Sequence, residues 1–317
     1  MKLTNKNTAT PIIRIASRES ALALAQTHWV AAQLRERFGA EVSILGMTTR
    51  GDQILDKPLA KIGGKGLFIK ELEVALAVGE ADIAVHSMKD MPMTLSEGFS
   101  MVVVGAREDA QDAFVSNHFA NFSLLPAGSV VGTSSLRRES LLKFQYPNLQ
   151  VKPLRGNVNT RLAKLDAGEF AAIILACAGL KRLNMSTRIR TALNVSDFIP
   201  AISQGALGIE YRTENTVMGA LLQSFAAPDT TAIIDAERAF GRVLGASCEV
   251  PMGAHGVIAD GTLTLTGFVA LPNGSRMVRD VISGAVSNAA QLGTQLGNML
   301  REKGADEILR TLKVANA

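Results

Sequence analysis

The sequence predicts an α/β protein: two domains of alternating strands and helices, then a smaller C-terminal α+β module. Three observations carry this prediction. Short apolar runs of strand length alternate with helical patterns through most of the chain, which is the pattern of strand–helix units packed in layers. Several of these runs lead into Gly, Ser, Thr or Asn and then into a helical pattern, the grammar of a strand, a turn and a helix N-terminus. From about residue 227 the pattern changes to a meander followed by amphipathic helices. At 317 residues the chain is also too long for one ordinary core.

In order, Ile12 to Ala16 reads as a buried strand, and Ser20 is placed to cap a helix reaching Phe38. A strand near Val42 to Met47, a Gly-rich loop and a helix from about Leu67 to Val78 follow. Ala81 to His86, Met101 to Gly105, Val130 to Gly132, Gln150 to Pro153 and Ala171 to Leu175 continue the strands, with helical patterns between them. Such alternation predicts mostly parallel sheets, with ligands outside the carboxyl ends of the strands. Asp235 to Leu244 is helical, and Gly256 to Gly284 reads as a three-stranded meander with a Pro-Asn-Gly turn at Pro272 to Gly274. Ala289 to Leu312 carries one or two amphipathic helices.

Composition narrows the function classes. Lys plus Arg is 33 against 29 for Asp plus Glu, a net charge of +4, and the basic residues sit singly or in pairs at turns. Nucleic-acid binding calls for a concentrated basic face, so the expected partner is a small molecule in a cleft and no nucleic acid. No stretch approaches a membrane span; the most apolar windows, such as Ala171 to Ala178, are strand-length. Met1 to Pro11 is polar and lacks the apolar core of a signal peptide, and the two cysteines, Cys177 and Cys248, suggest no disulfide framework. A cytoplasmic protein without membrane contact is expected. The four histidines show no metal spacing, and no HExxH or nucleophile elbow occurs, so no metal is expected.

Two turns carry the strongest chemical signal. Gly132-Thr133-Ser134-Ser135-Leu136-Arg137-Arg138 and Leu154-Arg155-Gly156-Asn157-Val158-Asn159-Thr160-Arg161 each place arginines at a predicted helix start. Backbone N–H groups there attract anions, and the guanidinium fork grips a carboxylate with two parallel hydrogen bonds. Two such turns suggest a ligand with many acidic arms. Arg14 to Ser20 ends the first strand with Arg18 and Ser20, either binding groups or an ordinary strand end and cap. Ala84-Val85-His86-Ser87-Met88-Lys89-Asp90-Met91-Pro92 sets Lys89 and Asp90 where a core strand emerges; the alternatives are solvated loop charges and a general acid–base carboxylate. Ile62-Gly63-Gly64-Lys65-Gly66-Leu67 is not a phosphate loop, because Gly66 follows Lys65 where Ser or Thr is required; it reads as a mobile loop over a cleft. Cys177 lies in an apolar run and reads as inert, whereas Cys248 lies among small residues in Gly245 to Gly253, where a thiol is reachable.

Taken together and in order, Arg-x-Ser, Gly-Gly-Lys-Gly-Leu-Phe, His-Ser-Met-Lys-Asp, Gly-Thr-Ser-Ser-Leu-Arg-Arg, Leu-Arg-Gly-Asn-Val-x-Thr-Arg and Cys-x-Val-Pro resemble the porphobilinogen deaminase (hydroxymethylbilane synthase) family over nearly the whole chain. The resemblance implies two domains like type 2 periplasmic binding proteins, with the chain crossing between them twice, and a third smaller α+β domain carrying the cysteine. The expected limits are 1–105 with 205–226, 106–204, and 227–317. It implies a monomeric transferase of haem biosynthesis that joins four porphobilinogen molecules head to tail on a covalent dipyrromethane cofactor and releases hydroxymethylbilane and ammonia. By motif match Cys248 is the thioether anchor and Asp90 the catalytic carboxylate. Arg18, Ser20, Lys89, Ser135, Arg137, Arg138, Arg155, Arg161 and Arg182 then bind cofactor and substrate, and Lys61 and Lys65 belong to the closing loop.

The implied chemistry accounts for these residue types. Every pyrrole ring brings an acetate and a propionate, and carboxylates left unpaired in a partly dry cleft would cost several kcal/mol each. Loss of ammonia leaves an electron-poor azafulvene whose protonated form Asp90 is suited to hold. The chain departs from the usual family pattern at Ala246-Ser247, where Gly-Gly is usual, at Ala21 for Pro and at Asn159 for Gly. The alternative is a non-enzymatic carboxylate or anion binder on the same scaffold.

Overall fold

The computed structural model describes residues 12–53, 66–247 and 249–316. Lys61, Lys65 and Cys248 therefore lie outside the described residues. The chain opens with β1 (Ile12–Arg18), α1 (Ala21–Phe38), β2 (Glu41–Met47), the short α2 (Arg50–Gln53) and α3 (Lys70–Ala77). It continues through β3 (Ile83–Ser87), β4 (Phe99–Val104) and β5 (Asp112–Val115) to β6 (Val130–Gly132), α4 (Leu136–Gln145), β7 (Gln150–Lys152) and α5 (Val158–Asp166). Next come β8 (Ala172–Ala176), α6 (Cys177–Arg182), β9 (Thr191–Ala192), β10 (Leu207–Arg212), α7 (Thr216–Gln223) and α8 (Pro228–Leu244). The last part holds β11 (Met252–Ala259), β12 (Thr262–Ala270), β13 (Met277–Ala285), α9 (Ala289–Glu302) and α10 (Ala305–Asn316).

Two five-stranded sheets share one topology, β2-β1-β3-β10-β4 and β7-β6-β8-β5-β9. In each, the first three strands are parallel and the fourth runs antiparallel to both neighbours. Four of the five strands in each sheet therefore run the same way, the mostly parallel arrangement expected, and the one reversed strand has a topological reason. The fourth strand of each sheet is supplied by a chain segment that has just crossed from the other sheet, and it enters from the opposite end. The two α/β units and the separate three-stranded sheet with its helices are the α/β architecture and smaller C-terminal α+β module expected.

Each sheet buries an apolar face. Ile13, Ile15, Ile83, Val85, Val102 and Ile209 pack under α1 in the first, and Phe114, Val131 and Ile174 pack against Leu141 and Leu142 of α4 in the second. The third core joins Phe240 of α8 to Leu263 and Leu265 of β12 and Leu296 of α9. α8 begins at Pro228, seven residues before the helical run read from sequence, because proline's fixed φ and missing N–H suit a first helical turn.

The two crossovers lie side by side. Glu108 N–H donates to the Gly205 carbonyl at 3.2 Å. Gly205 has φ of +92°, and a Cβ there would stand 2.2 Å from the Glu108 carbonyl oxygen, so only glycine fits this approach.

Candidate active site

The site forms where the strands of both lobes end. Beyond β3 the chain makes one turn, Met88–Asp90, pinned by the Met88 N–H to the Ala206 carbonyl at 3.0 Å. Met88 and Met91 are each 2% exposed, and these buried anchors on either side leave Asp90 turned outward and exposed. Gln26 of α1 braces the turn through Ser87 Oγ at 2.8 Å.

Lys89 points to the second crossover, donating to Gln204 Oε1 at 3.3 Å. Burial lowers its pKa to about 8, helped by the charges of Arg138 and Arg137 and opposed by Asp90 and Asp112.

Across the cleft, Ser135 caps α4 by accepting from the Arg138 N–H at 3.4 Å, which sets Arg137 and Arg138 in the first turn. Both arginines are buried, and their guanidiniums share the carboxylate of Asp112, which is fully enclosed. Arg138 donates Nε and Nη2 to Asp112 Oδ1 at 3.1 and 2.7 Å, and Nη1 to the Ile174 carbonyl at 2.8 Å. Arg137 Nη2 stands 2.8 Å from Asp112 Oδ2, and its Nη1 donates to the Ile199 carbonyl at 2.8 Å. The two cations hold the Asp112 carboxyl far below the usual carboxylate range despite its burial.

The second arginine turn is built as expected. Asn157 caps α5 by accepting from the Thr160 N–H at 2.9 Å, and Arg161 Nε donates to the Gly156 carbonyl at 2.8 Å. Burial lowers Arg161 to about 10, with Arg138 and Arg155 pushing the same way and Asp90 opposing. Burial likewise lowers Arg155. Arg182, at the end of α6, donates to the Gly205 carbonyl at 2.7 Å.

The structure thus brings Lys89, Asp90, Arg137, Arg138, Arg155 and Arg161 within reach of one another's charge. Arg18 is engaged elsewhere: it pairs with Asp52 and lies over the Phe68 ring, 4.3 Å from its centroid. Ser20 is the N-cap of α1, accepting from the Ala23 N–H at 3.4 Å. Cys177 is buried, and its thiol is pushed up to about 12 by burial, an inert group as expected. Asp112 escaped the sequence reading because it follows Glu108 and Asp109 in a run that looks like solvated loop charge.

Two sheets joined by paired crossovers, with an exposed carboxylate near a cluster of arginines, define a two-lobed α/β protein with a strongly basic candidate site. Comparison with known proteins is specific. The family model described as porphobilinogen deaminase, dipyromethane cofactor binding domain, matches residues 13–220, and that of the porphobilinogen deaminase C-terminal domain matches residues 231–302. The chain is 58% identical over 301 residues to a porphobilinogen deaminase of Thiobacillus denitrificans, covering 95% of this chain and 98% of the relative. It is 55% identical to that of Nitrosomonas europaea with the same coverages. To that of Chromobacterium violaceum it is 56% identical, covering 94% and 96%. Among solved structures it is similar to the periplasmic VFT2 domain of BvgS from Bordetella pertussis, with TM-score 0.43 and 18% identity, covering 71% of this chain and 92% of that one.

The chain belongs to the porphobilinogen deaminase family. Its activity is that of hydroxymethylbilane synthase, a transferase of haem biosynthesis that condenses four porphobilinogen molecules on a dipyrromethane cofactor. The non-enzymatic binder is set aside, because relatives matched over nearly the full chain are named for the enzyme.

Proposed function

We propose that Asp90 is the catalytic carboxylate, that Cys248 anchors the dipyrromethane, and that the arginines around Asp90 hold the acidic arms of cofactor and substrate. The observation that carries this reading is the charge balance opposite Asp90. Arg137 and Arg138 share the one buried carboxylate of Asp112, with Arg161 and Lys89 close by, so the cluster keeps unbalanced positive charge. Arg137 Nε is also buried without a hydrogen-bond partner. Such a cluster suits a ligand of several carboxylates, and the dipyrromethane fits it.

When bound, the dipyrromethane supplies the pyrrole carbon to which the first ring is joined. Asp90, exposed on its turn, donates a proton to the departing amine of porphobilinogen and then faces the resulting positive pyrrole as a carboxylate. It accepts the ring proton that must leave after each bond forms. Arg138, Arg155 and Arg161 hold acetate and propionate arms by charge-assisted hydrogen bonds, and Lys89 adds a cation beside Asp90. Arg18 and Arg182 bind further acidic arms, and Ser20 and Ser135 cap the helices α1 and α4 that start at the site. Lys61 and Lys65 complete the closing loop. The division 1–105 with 205–226, 106–204, and 227–317 places Asp90 in the first domain, the arginine turns in the second and Cys248 in the third. The protein acts as a cytoplasmic monomer without nucleic-acid or membrane partners; no described helix is long and apolar enough to cross a membrane.

The intact mass of the purified, denatured protein tests the anchor. The wild type is expected to carry a covalent excess of two linked pyrrole units, and Cys248→Ala none. A wild type still unmodified after incubation with porphobilinogen, or a Cys248→Ala protein carrying the excess, rules the anchor out.

A further inference from the structure

Arg137 and Arg138 occupy the first turn of α4, where the positive end of the helix dipole disfavours cations and two adjacent guanidiniums repel each other. Asp112 resolves both conflicts. It opens β5 directly after the first crossover, is fully buried, and receives both guanidiniums on its two oxygens. Its Oδ1 also accepts from Gln204 Nε2 at 3.0 Å, an amide that donates to the Ala110 carbonyl at 2.7 Å as well. The other end of that amide, Oε1, accepts from Lys89. A continuous hydrogen-bonded line therefore runs from Arg138 of the second lobe, through Asp112 at the start of β5 and Gln204 on the second crossover, to the ammonium next to Asp90.

We propose that Asp112 is a positioning residue for substrate binding: it fixes the Arg137 and Arg138 guanidiniums and, through Gln204, holds the Lys89 ammonium at the acid arms of porphobilinogen. The proposal rests on the assignment of these cations to the substrate cleft. Asp112 touches no substrate in this role; it decides where the groups that do so stand. An amide in its place would turn an N–H₂ toward the guanidiniums or toward the Gln204 amide, all of them donors, so the cluster must rearrange. It would also remove an anion from beside Lys89, which faces Asp90, Asp112, Arg137 and Arg138. The lysine would then lose its proton at lower pH.

The test uses holoprotein of the wild type, Lys89→Gln, Asp112→Asn and Gln204→Met. Thermal melts verify folding, intact mass verifies the cofactor, and kcat and KM for porphobilinogen are measured across the neutral to alkaline range. In the wild type KM is expected to rise as pH passes about 8, where Lys89 is deprotonated, and this limb is expected to be absent from Lys89→Gln. In folded Asp112→Asn, KM at neutral pH is expected to rise about tenfold, with kcat changed less and the limb moved to lower pH. A limb that survives in Lys89→Gln overturns the cleft assignment and the proposal with it. A limb lost in Lys89→Gln but unmoved in Asp112→Asn, with KM within about twofold of wild type, overturns the proposal alone. Where Asp112→Asn does not fold, Gln204→Met decides: it breaks the line to Lys89 while the arginine pairs remain, and an unchanged KM in that folded variant refutes the role.

Discussion

Arg107, on the first crossover, grips the fully buried Glu237 of α8 with both terminal nitrogens, at 2.6 and 3.2 Å. Glu237 also accepts from the Ser203 N–H on the second crossover at 2.7 Å and from the Gly256 N–H of β11 at 2.9 Å. One carboxylate from the third sheet's helix thus closes over both connections between the lobes. A buried charge satisfied by four donors is tolerated because every oxygen lone pair is used and the countercharge is adjacent.

Glu237→Gln should therefore be strongly destabilising. The amide would oppose an N–H₂ to Arg107 or to a backbone N–H, and it would leave the Arg107 guanidinium uncompensated. Breaking such a pair costs about 3–5 kcal/mol. Urea unfolding of purified protein measures this directly, and a loss below about 1 kcal/mol would show that the junction relaxes without it.

Asp90→Asn should separate chemistry from assembly of the fold. Asp90 is exposed and no described hydrogen bond of its side chain holds the turn, which depends on Met88, Met91 and the Ala206 carbonyl. The melt should stay within about 0.5 kcal/mol of wild type, as for surface substitutions, while turnover falls by about 10²–10⁴, the range for a lost general acid–base group. Near-normal production of hydroxymethylbilane by the variant would move the catalytic carboxylate elsewhere.

Lys89 makes stability depend on pH in a definite direction. Its folded pKa of about 8 lies below the ordinary 10.5, so between those values the unfolded chain binds a proton that the folded chain does not. Stability contributed by this site therefore rises with pH across that window and is flat below it. In cofactor-free Cys248→Ala protein, the difference in melting between Lys89 and Lys89→Met should shift by this amount from neutral to alkaline pH. A difference that stays constant would mean that the ammonium is hydrated.

How much of this was legible in sequence divides along a physical line. Features set by neighbours in the chain were readable: Ser20 before α1, Ser135 before α4, the meander from β11 to β13, and the turn that presents Asp90. Features set by which distant segments meet were not. The antiparallel placement of β5 and β10 follows from the crossovers, which no local periodicity records. The same holds for the arginines. Their spacing announces an anion site, but that Asp112 already occupies part of Arg137 and Arg138 depends on a strand more than twenty residues away. The bond from Lys89 to Gln204 is tertiary in the same way, joining residues 115 apart in the chain.

Gly241 in α8 offers the sharpest test of how this helix meets the turn that presents Asp90. A Cβ there would stand 2.8 Å from Ile202 Cδ1 on the second crossover, 2.8 Å from Met93 Sδ just beyond Asp90, and 3.2 Å from Ala246 Cβ. Ala246 is also bonded back to the helix, its N–H donating to the Gly241 carbonyl at 2.8 Å. The absent side chain is thus the seat of the Ala246 methyl, two residues before Cys248. Gly241→Ala gains about 1 kcal/mol of helix propensity. It loses about 1–3 kcal/mol to overpacking. Ile202 and Met93 can swing their flexible ends aside, but Ala246, a stub on a bonded backbone, cannot. The expected result is a net loss of stability of no more than about 2 kcal/mol, with a clear loss of cofactor loading and turnover. Ala246→Gly in the same chain removes that contact and should restore part of both, a coupling of about 0.5–1 kcal/mol by double-mutant cycle. Strict additivity of the two substitutions would mean that the Cys248 loop takes its place independently of α8.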